Sequence, residues 1–267
     1  MASSPDPNFN PDPIFNDARL AALYDTFDGN RDDLDAYEAI IDELGARSVL
    51  DVGCGTGTLP LRLVAKGIDV VALDPAGASL DQARRKPGAD RVRWVHGVAA
   101  ALPAIAVDLA VMTGNVAQVF LTDDVWSEAL QAISRSLTPR GHLVFETRIP
   151  ERRAWEEWTP EASFQRGLDA EGKTVERWNE VTNVDLPFVT FDGTFRFADG
   201  TSMSSTSTLR FRNKEEIERS LGEAGFAVVE VREAPDRPGK EMVFIAVRSR
   251  SHGESPRDSL GSATAPD

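Results

Sequence analysis

Residues 49–66, VLDVGCGTGTLPLRLVAK, constrain the chain more than any other stretch. The apolar run Val49-Leu50-Asp51-Val52 predicts a buried strand. It breaks into a loop with Gly53, Gly55 and Gly57. A helical pattern follows, with Leu59, Leu63 and Val64 on one face, Pro60 in the first turn and Gly67 as the stop. Strand, glycine loop and helix form a cradle of the kind that holds nucleotides. The glycines let the backbone turn sharply or come close to a ligand, and the helix start offers free N–H groups. No Lys-Ser or Lys-Thr follows the glycines, which excludes a Walker loop. A dinucleotide fingerprint, G-x-G-x-x-G, would place its third glycine one residue later. Asp51 leads the loop. A carboxylate there repels a diphosphate and attracts a ligand ammonium. A second acid, Asp74, closes the next apolar run, residues 68–74.

VLDVGCGTG, with Asp74 at the end of the following strand, resembles motif I of the class I S-adenosylmethionine (AdoMet) dependent methyltransferases. The phrase Ser207-Thr208-Leu209-Arg210-Phe211-Arg212 before a helix resembles a feature of bacterial members with a β-rich insertion. The resemblance covers about residues 14–248. It implies an α/β fold: a Rossmann-like seven-stranded sheet with a β-rich insertion covering the substrate side. It also implies AdoMet as cofactor and methyl transfer to an oxygen or nitrogen of a small-molecule acceptor. By the same resemblance, Asp51 lies near the amino acid part of the cofactor. Gly53, Gly55 and Gly57 let main chain approach it, and Asp74 accepts the ribose hydroxyls. Gly97, Val98 and Ala99 occupy the adenine side; the acid common there in the family is replaced by Val98, so backbone or apolar contact must serve. Thr113 and Asn115 match the segment beside the amino acid part and the sulfonium. Tyr24, Gln118, Trp155 and Trp158 are substrate-side candidates, against packing roles for each. Tyr37 and Trp178 carry the same two readings. Glu146 is the candidate base if the acceptor must lose a proton; pairing with Arg148 is its other reading. A nicotinamide oxidoreductase and an AdoMet-binding regulatory protein without catalysis remain as alternatives.

The chain has 267 residues, 41% of them hydrophobic, enough for one large domain or a domain with an insertion. A formal net charge of −14 disfavours nucleic acid as a partner. The absence of a DNA amino-methyltransferase signature after the fourth strand agrees, since Thr113-Gly114-Asn115-Val116 stands there. The single cysteine, Cys54, rules out an internal disulfide and fits a reducing cytoplasm. The N-terminus has no signal-peptide pattern, and no apolar run is long enough to span a bilayer. The three histidines lack metal-ligand spacing, so no metal site is expected. His142 starts the fifth strand, away from the expected cleft.

In chain order, residues 1–13 read as a disordered tail. Residues 14–149 read as N-terminal cap helices, broken by Asp28-Gly29-Asn30, followed by a core in which strands and helices alternate. That alternation implies parallel strands with right-handed crossovers. Strand ends at Gly53, Asp74, Gly97, Thr113 to Asn115 and Glu146 to Arg148 should converge on one cleft. Residues 150–212 read as the β-rich insertion, with Asp199-Gly200 as a hairpin signal. Residues 213–248 close the core, and 249–267 read as a second disordered tail. The sequence leaves the oligomeric state open.

Overall fold

The structure, a computed structural model, describes residues 11–29 and 31–249. Three four-residue helices open it: α1 (Pro13–Asn16), α2 (Ala18–Ala21) and α3 (Tyr24–Phe27). The sequence pattern predicts one continuous helix here. Asp17 interrupts it, because its carboxylate accepts the amides of Arg19 and Leu20 and starts a new helix instead. Next come α4 (Asp33–Glu43), β1 (Ser48–Val52), α5 (Thr58–Ala65), β2 (Asp69–Asp74) and α6 (Gly77–Ala83). They are followed by β3 (Arg93–His96), β4 (Val107–Met112), α7 (Asp123–Ser136) and β5 (Leu137–Arg148). Pro139-Arg140-Gly141, which in the sequence signals a turn into a fifth strand starting at His142, lies inside β5 as an irregularity, with Arg140 at φ 67°.

These strands build a seven-stranded sheet ordered β3-β2-β1-β4-β5-β11-β10, where β10 is Phe226–Glu233 and β11 is Glu241–Arg248. The first five run parallel; β11 is antiparallel to β5, and β10 to β11. Being covered on both faces, the central strands read as apolar runs without alternation: all of β4 except Asp108 is buried. On one face Leu34, Tyr37, Leu59, Leu63 and Leu80 pack from α4, α5 and α6. On the other, Trp126, Leu130 and Ile133 of α7 meet Ile217 and Leu221 of α8 (Lys214–Glu223). Each such side chain contributes about 1.5–3 kcal/mol when fully buried. The sheet is Rossmann-like, as expected. Strand order reverses between β1 and β4, which opens a crevice at the carboxyl ends of those strands.

A second sheet, antiparallel and four-stranded, lies between β5 and α8: β6 (Gln165–Leu168), β7 (Thr174–Asp185), β8 (Phe188–Phe197) and β9 (Ser202–Arg210). In three of its strands, β7, β8 and β9, the sequence alternates roughly, as a strand pattern requires. β6 does not, since Gln165-Arg166-Gly167-Leu168 carries no strand signal and is held by pairing with β7. The sheet, expected from the sequence to act as a lid, is fixed at both ends. Val175, Phe195 and Phe197 cluster with Ile14, Leu20, Leu23 and Phe27 of the cap helices. Val189 clusters with Trp155 and Phe211. No helix among the described residues is long and apolar enough to cross a membrane. The expected tails fall largely outside the described residues. Asp12 and Pro13, assigned to the first tail, instead start α1.

Candidate active site

The glycine loop is tied to the neighbouring strand before any ligand is considered. The amides of Gly53 and Cys54 donate to the Leu73 carbonyl at 2.8 and 3.1 Å. Asp74 then grips the loop from its strand end: Oδ2 accepts the Gly55 amide at 2.7 Å, and Oδ1 accepts the Ala76 amide at 2.8 Å. Each oxygen keeps a further lone pair. Gly57 has φ +81°, and a Cβ there would lie 2.5 Å from the Trp94 ring. Gly55 differs: a Cβ would meet nothing within 4 Å, so this glycine borders open space. Asp51 is 1% exposed, and its Oδ1 has no hydrogen-bond partner among the described residues. Burial, then the charge of Asp74, pushes its carboxyl up to about 7, with Arg31 opposing. The two carboxylates are thus near enough for one charge to act on the other.

Several residues of this crevice escaped the sequence reading. Asp25 of α3 accepts the hydroxyl of Thr56, inside the glycine loop, at 2.5 Å and pairs with Lys86. Arg31 is held by Asp28 at 2.7 Å and Asp33 at 2.9 Å. Against the effect of burial, those bonds and charges raise its pKa. Its φ of 52° is a left-handed conformation, which no sequence pattern announces for an arginine. Tyr24 lies where these charges meet. Burial raises its phenol to about 12, together with Asp28, while Arg31 and Arg177 pull the other way.

The adenine-side candidates lie at the end of β3. The Gly97 amide donates to the Asp74 carbonyl at 3.0 Å. Val98 is half-buried, and Ala99 packs its methyl into the core. After β4, Thr113 is buried and Asn115 adopts φ 63°. Val116 lies against Gly53, where a Cβ would approach it to 2.6 Å, so the two loops share one wall.

Glu146 serves this second loop. Its Oε1 accepts the amides of Gly114 and Asn115 at 2.6 and 2.9 Å. Burial and then Glu241 push its carboxyl up to about 7. Arg148 does not pair with it. Instead Arg148 donates to Gln118 Oε1 at 2.8 Å, lies 3.6 Å from Glu241 and stands over the Trp158 ring at 5.3 Å. Glu241 also accepts from Asn115 Nδ2 at 3.0 Å and Arg237 at 2.7 Å. Glu241, Arg237 and Arg212 were missed because they come from strand and loop positions distant in sequence. Arg212 donates to the Ala117, Phe120 and Thr122 carbonyls, holding the same loop from the lid side.

The structure does not bring every candidate to the crevice. Trp155 is 3% exposed and packs edge-on against Phe211 at 4.7 Å. Trp158 is half-buried beside Phe191 and Arg148. Gln118 is fully buried, between Arg148 and the Arg210 carbonyl. Tyr37 packs in the core with α4, and Trp178 lies on the other lid face from Arg177, under Arg196. No cluster of metal-binding side chains occurs among the described residues.

Comparison with known proteins agrees with this geometry. The family described as a methyltransferase domain matches residues 49–141. An uncharacterized methyltransferase of Mycobacterium tuberculosis is 35% identical over 117 residues, 41% of this chain and 44% of that protein. The match thus spans less than half the length of that relative. The AdoMet-bound structure of CalS10, an amino pentose methyltransferase from Micromonospora echinaspora, aligns at TM-score 0.63 and 25% identity, over 82% of this chain and 93% of its own. The sugar N-methyltransferase KedS8 from Streptoalloteichus aligns at TM-score 0.69 and 21% identity, over 94% and 99%. An unpartnered buried carboxylate at the head of a glycine loop, with a second carboxylate at the next strand end, fits the ammonium and diol of AdoMet. Residues 49–141 thus match a methyltransferase domain, and the chain resembles the class I S-adenosylmethionine-dependent methyltransferases in fold.

Proposed function

We propose that the protein transfers a methyl group from AdoMet to an oxygen or nitrogen of a small-molecule acceptor held under the lid. The observation that carries this reading is the Asp51 Oδ1 atom: buried, without a partner among the described residues, and near enough to Asp74 to feel its charge. When bound, the cofactor supplies an activated methyl on sulfur. Asp51 takes the ammonium end. Asp74 takes the ribose hydroxyls on the lone pairs its two amide bonds leave. The main chain at Gly53 and Gly55 lines the crevice, and Gly97, Val98 and Ala99 close the adenine side through backbone and apolar contact. Thr113 and Asn115 flank the reacting end on a loop that Glu146 and Arg212 keep in place. Orientation of two reactants can supply up to ~7–11 kcal/mol of a barrier, so positioning is the main task of such a site. Glu146, engaged by two amides, acts as a positioning residue. Tyr24 faces the acceptor. The acceptors in the names of CalS10 and KedS8, an amino pentose and a sugar, support a small polar acceptor.

Calorimetry with AdoMet, its demethylated product and NAD tests the cofactor reading. The first two bind; binding of NAD alone overturns it. Replacing Asp74 by Ala weakens AdoMet binding by ~2–5 kcal/mol, the loss expected when a charge-assisted pair goes unmet. An unchanged affinity removes Asp74 from the site. Incubation with a metabolite extract, read by mass spectrometry for a single added methylene, identifies the acceptor.

A further inference from the structure

The inner face of the lid is apolar at both ends and polar in the middle. Strand alternation puts Val175, Arg177 and Asn179 of β7 on one face. Opposite them on β8 stand Phe197, Phe195 and Gly193. Val175, Phe195 and Phe197 belong to the cluster with the cap helices, while Val181 packs against the cluster of Trp155 and Phe211. Arg177 and Asn179 lie between the two.

Neither polar side chain is satisfied by the protein. The Arg177 guanidinium sits 5.5 Å from the Phe195 ring centroid and 5.9 Å from that of Phe27. Aromatic faces hold a guanidinium plane in position but give its N–H edges no acceptor. Among the described residues Arg177 has no hydrogen bond and no ion pair, although the chain carries 43 acidic residues against 29 basic ones. Burial lowers its pKa, while Tyr24 and Asp28 stand near enough to oppose that effect. Asn179 Oδ1 is buried with no partner among the described residues. Gly193 faces it across the sheet, and a Cβ there would come within 3.4 Å of that oxygen. The other two arginines near Tyr24 are engaged: Arg31 by Asp28 and Asp33, Arg148 by Gln118 and Glu241.

We propose that this strip is the acceptor's anchor: Arg177 takes an oxyanion of the acceptor, carboxylate or phosphate, and Asn179 takes an adjacent hydroxyl. The inference rests on the methyltransferase reading above and adds the chemical class of the acceptor. A guanidinium fork reads either oxyanion with paired N–H donors. Within a strongly acidic protein, an arginine with no ion pair among the described residues also gives an anionic molecule a favourable place to dock.

The test uses the full chain saturated with S-adenosylhomocysteine and titrated by calorimetry with glucose phosphate, glucuronate and neutral glucose. At least one anion binds about tenfold or more tightly than glucose. Phosphate and carboxylate are distinguished by which of the two does so. Arg177→Gln abolishes that preference and leaves S-adenosylhomocysteine affinity unchanged, which also reports that the variant is folded. Arg177→Lys keeps part of the preference. Asn179→Ala weakens the hydroxylated anion and leaves inorganic phosphate unaffected. Equal binding of anions and glucose overturns the proposal, as does a preference that survives in Arg177→Gln. A parallel loss of S-adenosylhomocysteine affinity in that variant also overturns it, because Arg177 would then serve the cofactor. Failure of the methyltransferase reading shows separately, as failure of the wild type to load S-adenosylhomocysteine.

Discussion

Gly55 and Gly57 are two residues apart, both with left-handed backbone, yet they answer to different demands. At Gly57 a methyl group collides with Trp94 and comes 3.0 Å from the Ala83 side chain; at Gly55 it enters open space. Gly57→Ala is therefore less stable than Gly55→Ala by about 1–3 kcal/mol in urea unfolding, the usual cost of overpacking. Cofactor affinity separates them too: Gly55→Ala folds and binds AdoMet poorly, since its new methyl occupies the crevice. Glu146 supplies a pH signature. Its folded pKa is raised to about 7, above the ordinary carboxylate value, so the folded state holds more protons than the unfolded one between about pH 4.5 and 7. Stability from this group is present at the acid end and is lost as pH rises through 7. Glu146→Gln keeps an acceptor for Gly114 and Asn115 and cannot ionise. Relative to wild type it gains stability between pH 5 and pH 8 in paired denaturant curves. A constant difference across that range would mean Glu146 does not titrate there. The sequence named Asp51, Asp74 and Glu146 because acids at strand ends are visible in a pattern of apolar runs. It could not name their neighbours: Arg31 acts on Asp51 and Glu241 on Glu146 through tertiary contacts that leave no periodicity.

Among the elements, the parallel core was legible because each central strand is buried on both faces and flanked by glycine or acid. The lid was legible in β7, β8 and β9 through alternation, and illegible in β6, whose residues favour no structure without a partner strand. The cap was misread as two helices since apolar spacing continues across Asp17 while the hydrogen bonding does not. The loop between β4 and α7 shows how an element can be held from outside itself. Arg212, 2% exposed, follows β9 and donates to three carbonyls of that loop. Arg212→Met leaves those carbonyls without a donor, and each buried one costs about 1–3 kcal/mol. Calorimetric melting should fall accordingly, and AdoMet affinity with it, because Val116 of the same loop forms a wall with Gly53. A variant that melts like wild type would show that the loop needs no such brace.

For the whole molecule, the cofactor crevice and the lid are one construction. The cap helices touch the glycine loop through Asp25 and Thr56, and they touch the lid through Ile14, whose amide donates to Ser205 at 2.9 Å. Charge at this scale works against the site: a net −14 repels anions in general, which makes Arg177 selective by contrast with its surroundings. Where β6 crosses α3, Gly167 leaves no room for a side chain, since a Cβ would stand 2.6 Å from Thr26 Cγ2. Gly167→Val should prise the two apart, and hydrogen exchange would register the change together in residues 18–27 and 165–178. If only one segment responded, the contact would be incidental.

That close crossing couples the second sheet to the N-terminal turns: neither can be displaced without carrying the other along or breaking the contact at Gly167.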